Sequence, residues 1–182
     1  MAYVQACPVE INGFGYLDRF TGDTERFELE DVVILQQTAT GASVDVSAEV
    51  LAQHMTQILM AGGDTGRMRL QWHSHVLMSA YFSNTDLANI EAYSGEWMIS
   101  IVLNKRGEYD LRLDVYKPFR AWTPLKLVIT TQPSPELAAA CARDIADKVR
   151  ILGTFRVKPV KPTPVGAISV SPDNLMVQRG ES

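Results

Sequence analysis

The chain has 182 residues, of which 46% are hydrophobic, and its formal net charge is only −4. This length predicts one globular domain, or one domain with a tail, whose core is large enough to fold without disulfides or structural metals. The mild acidity excludes the basic stripe that is typical of nucleic-acid-binding proteins, so nucleic acid is not an expected partner.

Cysteine use and the apolar segments bear on the compartment of the protein. Cys7 and Cys141 are the only cysteines, and two lone thiols are typical of a reducing compartment and not of a disulfide framework. The N-terminus lacks the basic start and apolar core of a signal peptide. Apolar runs such as residues 97–103 are too short to span a bilayer. We therefore expect a soluble cytoplasmic protein with no membrane partner.

The first part of the chain predicts two strands and a helix. Residues 9–20 form the first predicted strand, in which Gly13 allows a bend or a close backbone approach. A second strand is centred on residues 32–35. Ser47 is the expected N-cap of a helix with one apolar stripe, and two glycines at 62–63 end that helix.

The middle of the chain predicts a strand, a helix and a hairpin. Residues 68–75 alternate between apolar and polar side chains, which is typical of a strand with one buried face. A short helix is expected from Ser83 to about Gly95. The apolar run at 97–103 predicts a strand buried on both faces, and a turn returns it into an alternating strand at 109–116, which gives a hairpin.

The C-terminal part predicts one more strand, one more helix and a tail. The strand is expected at residues 125–131, and Ser134, followed by a proline in the favoured first position, caps a helix that runs to about Leu152. Four prolines follow after the first 157 residues. We therefore divide the chain into a domain at 1–157 and a Pro-rich tail at 158–182. The mixture of strands and helices predicts an α/β domain with a partly antiparallel sheet.

The stretch HSHVLMSAYFSNTD, at residues 73–86, contains two of the three histidines. One interpretation is ordinary, because Ser83 and Asp86 have the spacing of a helix capping box and histidines can end a strand. The other interpretation is a metal site. His73 and His75 leave the same face of one strand, and Asp86 in the first turn of the next helix can reach the same point. Two nitrogens and one carboxylate are a ligand set of catalytic zinc, with the fourth position open for water.

The spacing His-x-His-x7-Ser-x2-Asp, formed by His73, His75, Ser83 and Asp86, resembles the signature of the JAMM metalloproteases of the MPN (Mov34, JAB) family. The resemblance covers roughly residues 5–130 and is strongest to the prokaryotic branch. It implies the MPN fold, which is cytidine-deaminase-like, with a mixed, mostly antiparallel central sheet flanked by helices. It also implies one Zn²⁺ per chain, held by His73, His75 and Asp86.

The family also has an upstream glutamate that acts as a general base. Five glutamates precede the histidines in this chain: Glu10, Glu25, Glu28, Glu30 and Glu49. Glu10 lies in a Pro-x-Glu-x-x-Gly pattern that resembles the first strand of the family, and it stands 63 residues before His73. Glu25, Glu28 and Glu30 alternate with apolar residues, as solvated strand-edge residues do. Glu49 lies in the first turn of a helix, where the helix dipole favours an acid. We therefore assign the base to Glu10.

The resemblance implies a reaction and a partner. Glu10 would accept a proton from the attacking water and deliver it to the leaving amine, and Ser83 would donate a hydrogen bond to the developing oxyanion. The bond cleaved in the family is usually the isopeptide bond between the C-terminal carboxyl of ubiquitin, or a ubiquitin-like protein, and a lysine amine. We therefore expect a zinc-dependent isopeptidase, with Glu10 and Ser83 as its catalytic residues, that acts on ubiquitin or a ubiquitin-like modifier and its conjugates.

Two alternatives to this function remain open. A hydrolase of the same fold could act on another substrate, such as a sulfur-carrier precursor or a cell-wall or phage-tail peptide. A non-catalytic MPN scaffold is the other alternative, although such scaffolds usually lack the ligands that are present here. The insertion and the second zinc of linkage-selective eukaryotic relatives are absent, so we expect one zinc and no basis for a choice of linkage.

Three other residues near these patterns are expected to be structural. His54 falls on the apolar stripe of the first predicted helix, which predicts a packed or partly buried histidine. Trp72, beside the expected ligands, is predicted to belong to the core. Cys7 stands three residues before Glu10 but has no base assigned to it, so we do not expect it to act as a nucleophile.

Overall fold

The structure, a computed structural model, describes residues 1–17, 26–40, 43–130 and 132–152. The helices within these ranges are α1 (Ala2–Ala6), α2 (Ala48–Met60), α3 (Asn84–Ala92) and α4 (Pro135–Lys148). The strands are β1 (Asn12–Leu17), β2 (Leu29–Val33), β3 (Gln37–Ala39), β4 (Val44–Asp45), β5 (Met68–Ser74), β6 (Trp97–Leu103), β7 (Tyr109–Val115), β8 (Ala121–Pro124) and β9 (Val149–Ile151).

A mixed six-stranded sheet with the order β2-β1-β5-β6-β7-β8 forms the centre of the fold. Its strands pair antiparallel except for β5 and β6, which are parallel. A parallel pair needs a crossover connection, and α3 lies in that connection here. A second, three-stranded sheet has the order β4-β3-β9. The predicted α/β class with a partly antiparallel sheet is therefore confirmed.

The hydrophobic core lies on one face of the central sheet. Strands β5, β6 and β7 contribute Leu70, Trp72, Ile99, Ile101, Leu103 and Leu111 to it. Val4 from α1 and Ile145 from α4 belong to the same cluster, and the Tyr3 ring stacks on Trp72 with a centroid distance of 6.0 Å. Trp72 is only 4% exposed, so its predicted place in the core is confirmed. Full burial of a large apolar side chain stabilises a fold by about 1.5–3 kcal/mol.

The opposite face of the central sheet carries α3 and a group of polar side chains, beside the buried apolar residues Met98 and Val102. Strand alternation and register place His73 and Gln71 of β5 on this face, with Ser100 of β6 and Arg112 of β7 beside them. Gln71, Ser100 and Asn89 of α3 line one small cavity, which places the helix over these strands. The sheet therefore has one face that packs into the hydrophobic core and another face that carries the polar side chains near the predicted ligands.

Three helices begin at the serines that the sequence predicts. The hydroxyl of Ser47 accepts a hydrogen bond from the Val50 amide, and Ser134 accepts one from Leu137 at the start of α4. Ser83 caps α3 in the same way. An N-cap of this kind stabilises a helix by about 1 kcal/mol, because it satisfies an amide that the first turn leaves unpaired. These three predictions are confirmed.

The predicted strand at residues 125–131 is wrong. The edge strand β8 lies earlier, at Ala121–Pro124, and residues 125–130 have no regular structure, while residue 131 lies outside the described residues. Val128 is 71% exposed and Ile129 is 59% exposed. The apolar pattern of this segment suggested a buried strand, but the ladder with β7 ends at the pair Arg112–Pro124. The Leu125 amide still donates to the Leu111 carbonyl at 2.9 Å, but no further strand pairing follows among residues 125–130.

Other element boundaries differ from the prediction. Helix α4 ends at Lys148 and not near residue 152, because residues 149–151 form β9 and pair with β3. The second predicted strand, centred on 32–35, is β2 and ends at Val33. Strand β1 is shorter than the predicted 9–20, and residues 18–20 lie outside the described residues. The short helix α1 was not predicted. The predicted tail at 158–182 lies wholly outside the described residues.

Candidate metal centre

The three predicted metal ligands converge at the carboxyl end of β5. The Nε2 atoms of His73 and His75 are 3.3 Å apart, and His73 Nε2 lies 3.5 Å from Asp86 Oδ2. One donor atom from each of the three side chains lies within 4.8 Å of the others. The backbone brings the group together, since His73 is the second-last residue of β5, His75 directly follows this strand, and Asp86 lies in the first turn of α3. These side chains could hold a metal ion.

Burial suits the two imidazoles to a ligand role. His75 is 6% exposed, and the His73 side chain is 17% exposed. Burial lowers the pKa of His73, the nearby His75 lowers it further, and the Asp86 carboxylate opposes both effects. A depressed pKa keeps the imidazole neutral, which leaves one ring nitrogen with the free lone pair that a metal requires.

The tautomer of His75 follows from its second ring nitrogen. His75 Nδ1 lies 2.8 Å from the carbonyl oxygen of Ser79. Because a carbonyl only accepts hydrogen bonds, Nδ1 must carry the hydrogen, and Nε2 is left free to face His73 and Asp86. Metal-binding histidines commonly have such a partner, which fixes both the tautomer and the ring plane. The edge of the Tyr81 ring also packs on His75, with a centroid distance of 5.2 Å.

Asp86 closes a capping box and also belongs to the ligand group. Its Oδ2 atom accepts hydrogen bonds from the Ser83 amide at 2.7 Å and from the Ser83 hydroxyl at 2.6 Å. The Ser83 hydroxyl in turn accepts from the Asp86 amide at 3.2 Å. The ordinary interpretation of these two residues is therefore confirmed. It does not compete with a ligand role, because the same oxygen faces His73.

Glu10 lies beside His75. In the antiparallel pairing of β1 and β5, Asn12 lies opposite His73, and the Ser74 amide donates to the Ile11 carbonyl at 2.9 Å. Continuation of this register by one residue sets Glu10 opposite His75. Glu10 is only 7% exposed, and burial raises its pKa, while His75 opposes this shift and Asp86 adds to it. A buried carboxylate with a raised pKa is typical of groups that exchange protons during catalysis.

The other candidate glutamates occupy solvent-facing positions. Glu28 is exposed and lies 2.7 Å from Arg26, and Glu30 is paired with Arg67 on the outer strand β2. Glu49 is exposed in the first turn of α2. Glu25 lies outside the described residues. Within the described ranges, Glu10 is therefore the one of these glutamates that is buried next to the ligand group.

A small polar cavity adjoins the ligand group on the side of α3. Its volume is about 30 Å³, enough for one or two water molecules. The cavity is lined by Gln71, His73, Phe82, Asp86, Asn89, Ile90 and Ser100. The buried hydroxyl of Ser100 has no hydrogen-bond partner among the described residues. The cavity thus offers hydrogen-bonding groups directly behind two of the predicted ligands.

Sequence reasoning predicted the partly buried state of His54 correctly and missed Ser79. His54 is partly buried and bonds the Tyr16 hydroxyl at 2.6 Å, and Cys7 is buried in the core at 1% exposure. Ser79 acts through its backbone carbonyl, which every residue type carries. No residue pattern could therefore have revealed the contact. Ser100, which lines the small cavity, was detectable as the one polar residue in the apolar run at 97–103.

Comparison with known proteins adds no identification. No model of a known protein family matches the chain, and no curated protein matches it. None of the helices in the described ranges combines the length and the apolar character that a bilayer crossing demands. The chain is thus an α/β protein with a potential metal site made of His73, His75 and Asp86.

Proposed function

We propose that the protein is a zinc-dependent peptidase of the JAMM type, which cleaves after the C-terminal glycine of ubiquitin or a ubiquitin-like modifier. The observation that carries the proposal is the convergence of His73, His75 and Asp86 beside the buried carboxylate of Glu10. Three metal ligands and an adjacent base are the components that metal-assisted hydrolysis of an amide requires.

The chemistry of the ligand set is the support for zinc. Two histidines and one carboxylate, with one position left open, are a known ligand set of catalytic zinc. The same set also binds iron(II), so the choice of metal is part of the proposal and is tested below. The donor atoms lie within 4.8 Å of one another, close enough for one ion.

The MPN fold forms part of the proposal. Its support is the arrangement of the motif on the sheet: His73 lies near the end of β5, His75 directly follows this strand, and the helix after it begins with the Ser83 cap and Asp86. β1 pairs antiparallel with β5, so Glu10, which lies just before β1, is at the same end of the sheet as the two histidines. The meeting of these residues at one end of the sheet supports the proposed fold.

The side chains of this site have distinct tasks in the proposed reaction. Zinc, when bound, would acidify a water molecule and polarise the substrate carbonyl. Glu10 is placed to accept a proton next to His75 and to return it to the leaving amine, and its raised pKa suits a group that does both. The Ser83 hydroxyl donates to Asp86 at 2.6 Å, so it must turn away from Asp86 before it can donate to an oxyanion. The Ser83 amide can continue to hold Asp86 meanwhile.

Two other functions compete with this proposal. A peptidase of the same fold that acts on another peptide would use the same side chains, so only substrate tests separate it from the first. A non-catalytic scaffold has no need of a buried base. The joint presence of Glu10 and all three ligands in one place therefore favours an enzyme.

The metal proposal is tested by elemental analysis of the purified protein after zinc and iron have been supplied. We expect about one zinc per chain, and the loss of most of it in His75→Ala. Glu10→Gln should keep its zinc, because Glu10 is not a ligand. His54→Ala is the matched control, since it removes the third histidine, which bonds Tyr16 outside the ligand group. Folded wild-type protein that binds iron, or no metal, would contradict the proposal.

The substrate proposal is tested with ubiquitin, and with modifiers encoded by neighbouring genes, fused through the last glycine to a reporter. We expect cleavage by the wild type and a rate at least about 10²-fold lower for Glu10→Gln, the usual loss when a general base is removed. A peptide that copies only the modifier tail should be a poor substrate, because the body must supply the binding energy that orders the tail. Equal cleavage of both would favour the general peptidase.

A further inference from the structure

The buried side chain of Asn104 links two loops next to the ligand group. Asn104 follows β6 and is 0% exposed. Its oxygen accepts hydrogen bonds from the amides of Arg106 and Glu108, each at 3.0 Å. Its nitrogen donates to Glu108 Oε2 at 2.6 Å and to the carbonyl of Met78 at 2.8 Å. The amide thus uses both donors and both acceptor sites.

Three of these four bonds belong to the turn between β6 and β7. An asparagine that bonds the amide two residues ahead is common in turns, where it stabilises the turn itself. The bond to Met78 has no such explanation, because Met78 lies 26 positions away on the loop that leaves β5. The Met78 carbonyl is the fourth hydrogen-bond partner of the buried side-chain amide of Asn104. The turn therefore accounts for the burial of Asn104 only in part.

The loop that contains Met78 follows a path imposed by its neighbours. Val76 has a φ of +46°, a region that β-branched residues avoid. Its carbonyl accepts from the Lys105 amide at 2.8 Å, and the His75 amide donates to the Leu103 carbonyl at 2.8 Å. A strained residue persists where surrounding contacts over-determine the backbone. The end of β6 and its turn are the source of those contacts here.

The hydrogen bond from Asn104 reaches Met78, the residue before Ser79, which contacts the proposed ligand His75. Met78 is followed by Ser79, whose carbonyl accepts from His75 Nδ1 at 2.8 Å. Residues 77–79 are exposed, so little packing holds them. Fixing the Met78 carbonyl therefore fixes the peptide that leads to the Ser79 carbonyl, and through it the orientation of the His75 ring.

We propose that Asn104 is a positioning residue of the metal site, whose amide holds the loop so that His75 presents Nε2 to the metal. The inference rests on the metal site proposed above and deepens it. Loss of a group that orients a metal-binding histidine typically weakens metal affinity by 10- to 100-fold. We expect a change of that size when the donor to Met78 is removed.

A double substitution removes the donor to Met78 and keeps the hydrogen bonds of the turn. Asn104→Asp with Glu108→Gln keeps the oxygen that accepts in the turn and keeps a hydrogen bond between positions 104 and 108, now donated from position 108. The ionised carboxylate at position 104 has no hydrogen for the Met78 carbonyl and also repels it. Glu108→Gln by itself is the matched control, because its side chain can still accept from Asn104. Zinc affinity is measured by competition with a chelator, and the melting temperature is measured on metal-free protein.

The expected result is a zinc Kd about 10- to 100-fold higher in the double variant than in Glu108→Gln, at similar melting temperatures. Equal Kd values in the two folded variants would overturn the proposal. NMR of the histidine ring nitrogens in the wild type gives a second test that needs no variant. The proposal requires hydrogen on His75 Nδ1 in the metal-free protein, and hydrogen on Nε2 instead would overturn it. Wild-type protein that binds no zinc but carries hydrogen on Nδ1 would count against the metal proposal alone.

Discussion

At the scale of single residues, Asp86 combines a structural role and the proposed ligand role in one oxygen. The same Oδ2 atom accepts two hydrogen bonds from Ser83 and faces His73. Two donors from one neighbour fix the rotamer of the carboxylate before any metal arrives. Asp86 also lies in the first turn of α3, at the positive end of the helix dipole. The Ser83 cap therefore holds the Asp86 carboxylate in one orientation, the one that faces His73.

Ser83→Ala tests how far the cap and the site depend on each other. The substitution should lower the free energy of unfolding by about 1 kcal/mol, the usual effect of a lost N-cap. Zinc should be retained, because the Ser83 amide still holds Asp86. The cleavage rate should fall by more than the stability loss explains. Ser134→Ala removes the equivalent cap of α4 and serves as the control. Equal cleavage rates in the two folded variants would remove Ser83 from the catalytic group.

The residues of the site differ in how visible they are in the sequence. His73, His75 and Asp86 could be predicted to converge, because strand alternation and the first turn of a helix are local geometry. Glu10 could be assigned only through the resemblance, since its pairing with β5 spans the sequence. The Ser79 carbonyl could not be predicted at all, because its contact with His75 depends on the path of the loop.

At the scale of elements, the close approach of β1 to its neighbours decides where Glu10 lies. Gly13 pairs with Trp72, and a Cβ at Gly13 would lie 2.7 Å from Trp72 Nε1 and closer still to the Val33 carbonyl. No side chain fits between these groups. Gly13 therefore permits β1 to pair closely with the strands on both of its sides. Gly13 lies three residues after Glu10, so this close pairing also affects where the Glu10 carboxylate lies.

Gly13→Ala should displace β1 and with it Glu10. We expect a loss of about 1–3 kcal/mol in the free energy of unfolding, the usual range for overpacking. The cleavage rate should fall more than the zinc content, because the metal ligands lie on other elements. Gly62→Ala is the control: Gly62 has a φ of +74° and open space around it, so the substitution strains the backbone away from the site. Similar rate losses in both variants would argue against a specific effect on Glu10.

The elements that could be predicted are those with local signals. Helices α2, α3 and α4 carry serine caps, and the alternation of β5 and β7 is visible in the chain. The segment at 125–131 was misassigned because a strand needs a partner, and its apolar residues did not reveal where the ladder with β7 ends. Strand β9 was missed for a similar reason, since it pairs with β3 from the other end of the domain.

At the scale of the whole molecule, the C-terminal end of the described fold is fixed by that pairing. Residues 149–151 align with Gln37–Ala39, and the Leu152 amide donates to the Ala39 carbonyl at 2.8 Å. Ala39 is 0% exposed, so β9 closes over a buried strand. The domain needs these residues, and its predicted limit at residue 157 lies just beyond them.

Truncation tests this limit. A chain that ends at residue 157 contains every described element and should keep the melting temperature and zinc content of the full chain. A chain that ends at residue 147 lacks β9 and should melt at a clearly lower temperature, because β3 loses its parallel partner. Thermal melts followed by circular dichroism compare the three proteins. A 1–157 protein that fails to fold would show that the tail belongs to the domain.

The pairing of β1 with β5 has a consequence for the order of events during folding. The three ligands lie within 14 consecutive residues, whereas Glu10 stands 63 residues before His73 and meets the site only through strand pairing. Contacts between distant residues close late, because they carry the larger entropic cost. An incompletely folded chain can thus gather the ligands while it still lacks the proposed base. In the proposed enzyme, capture of the ion would then be separate in time from competence for hydrolysis, and an immature chain would lack the base that it needs to cut its neighbours.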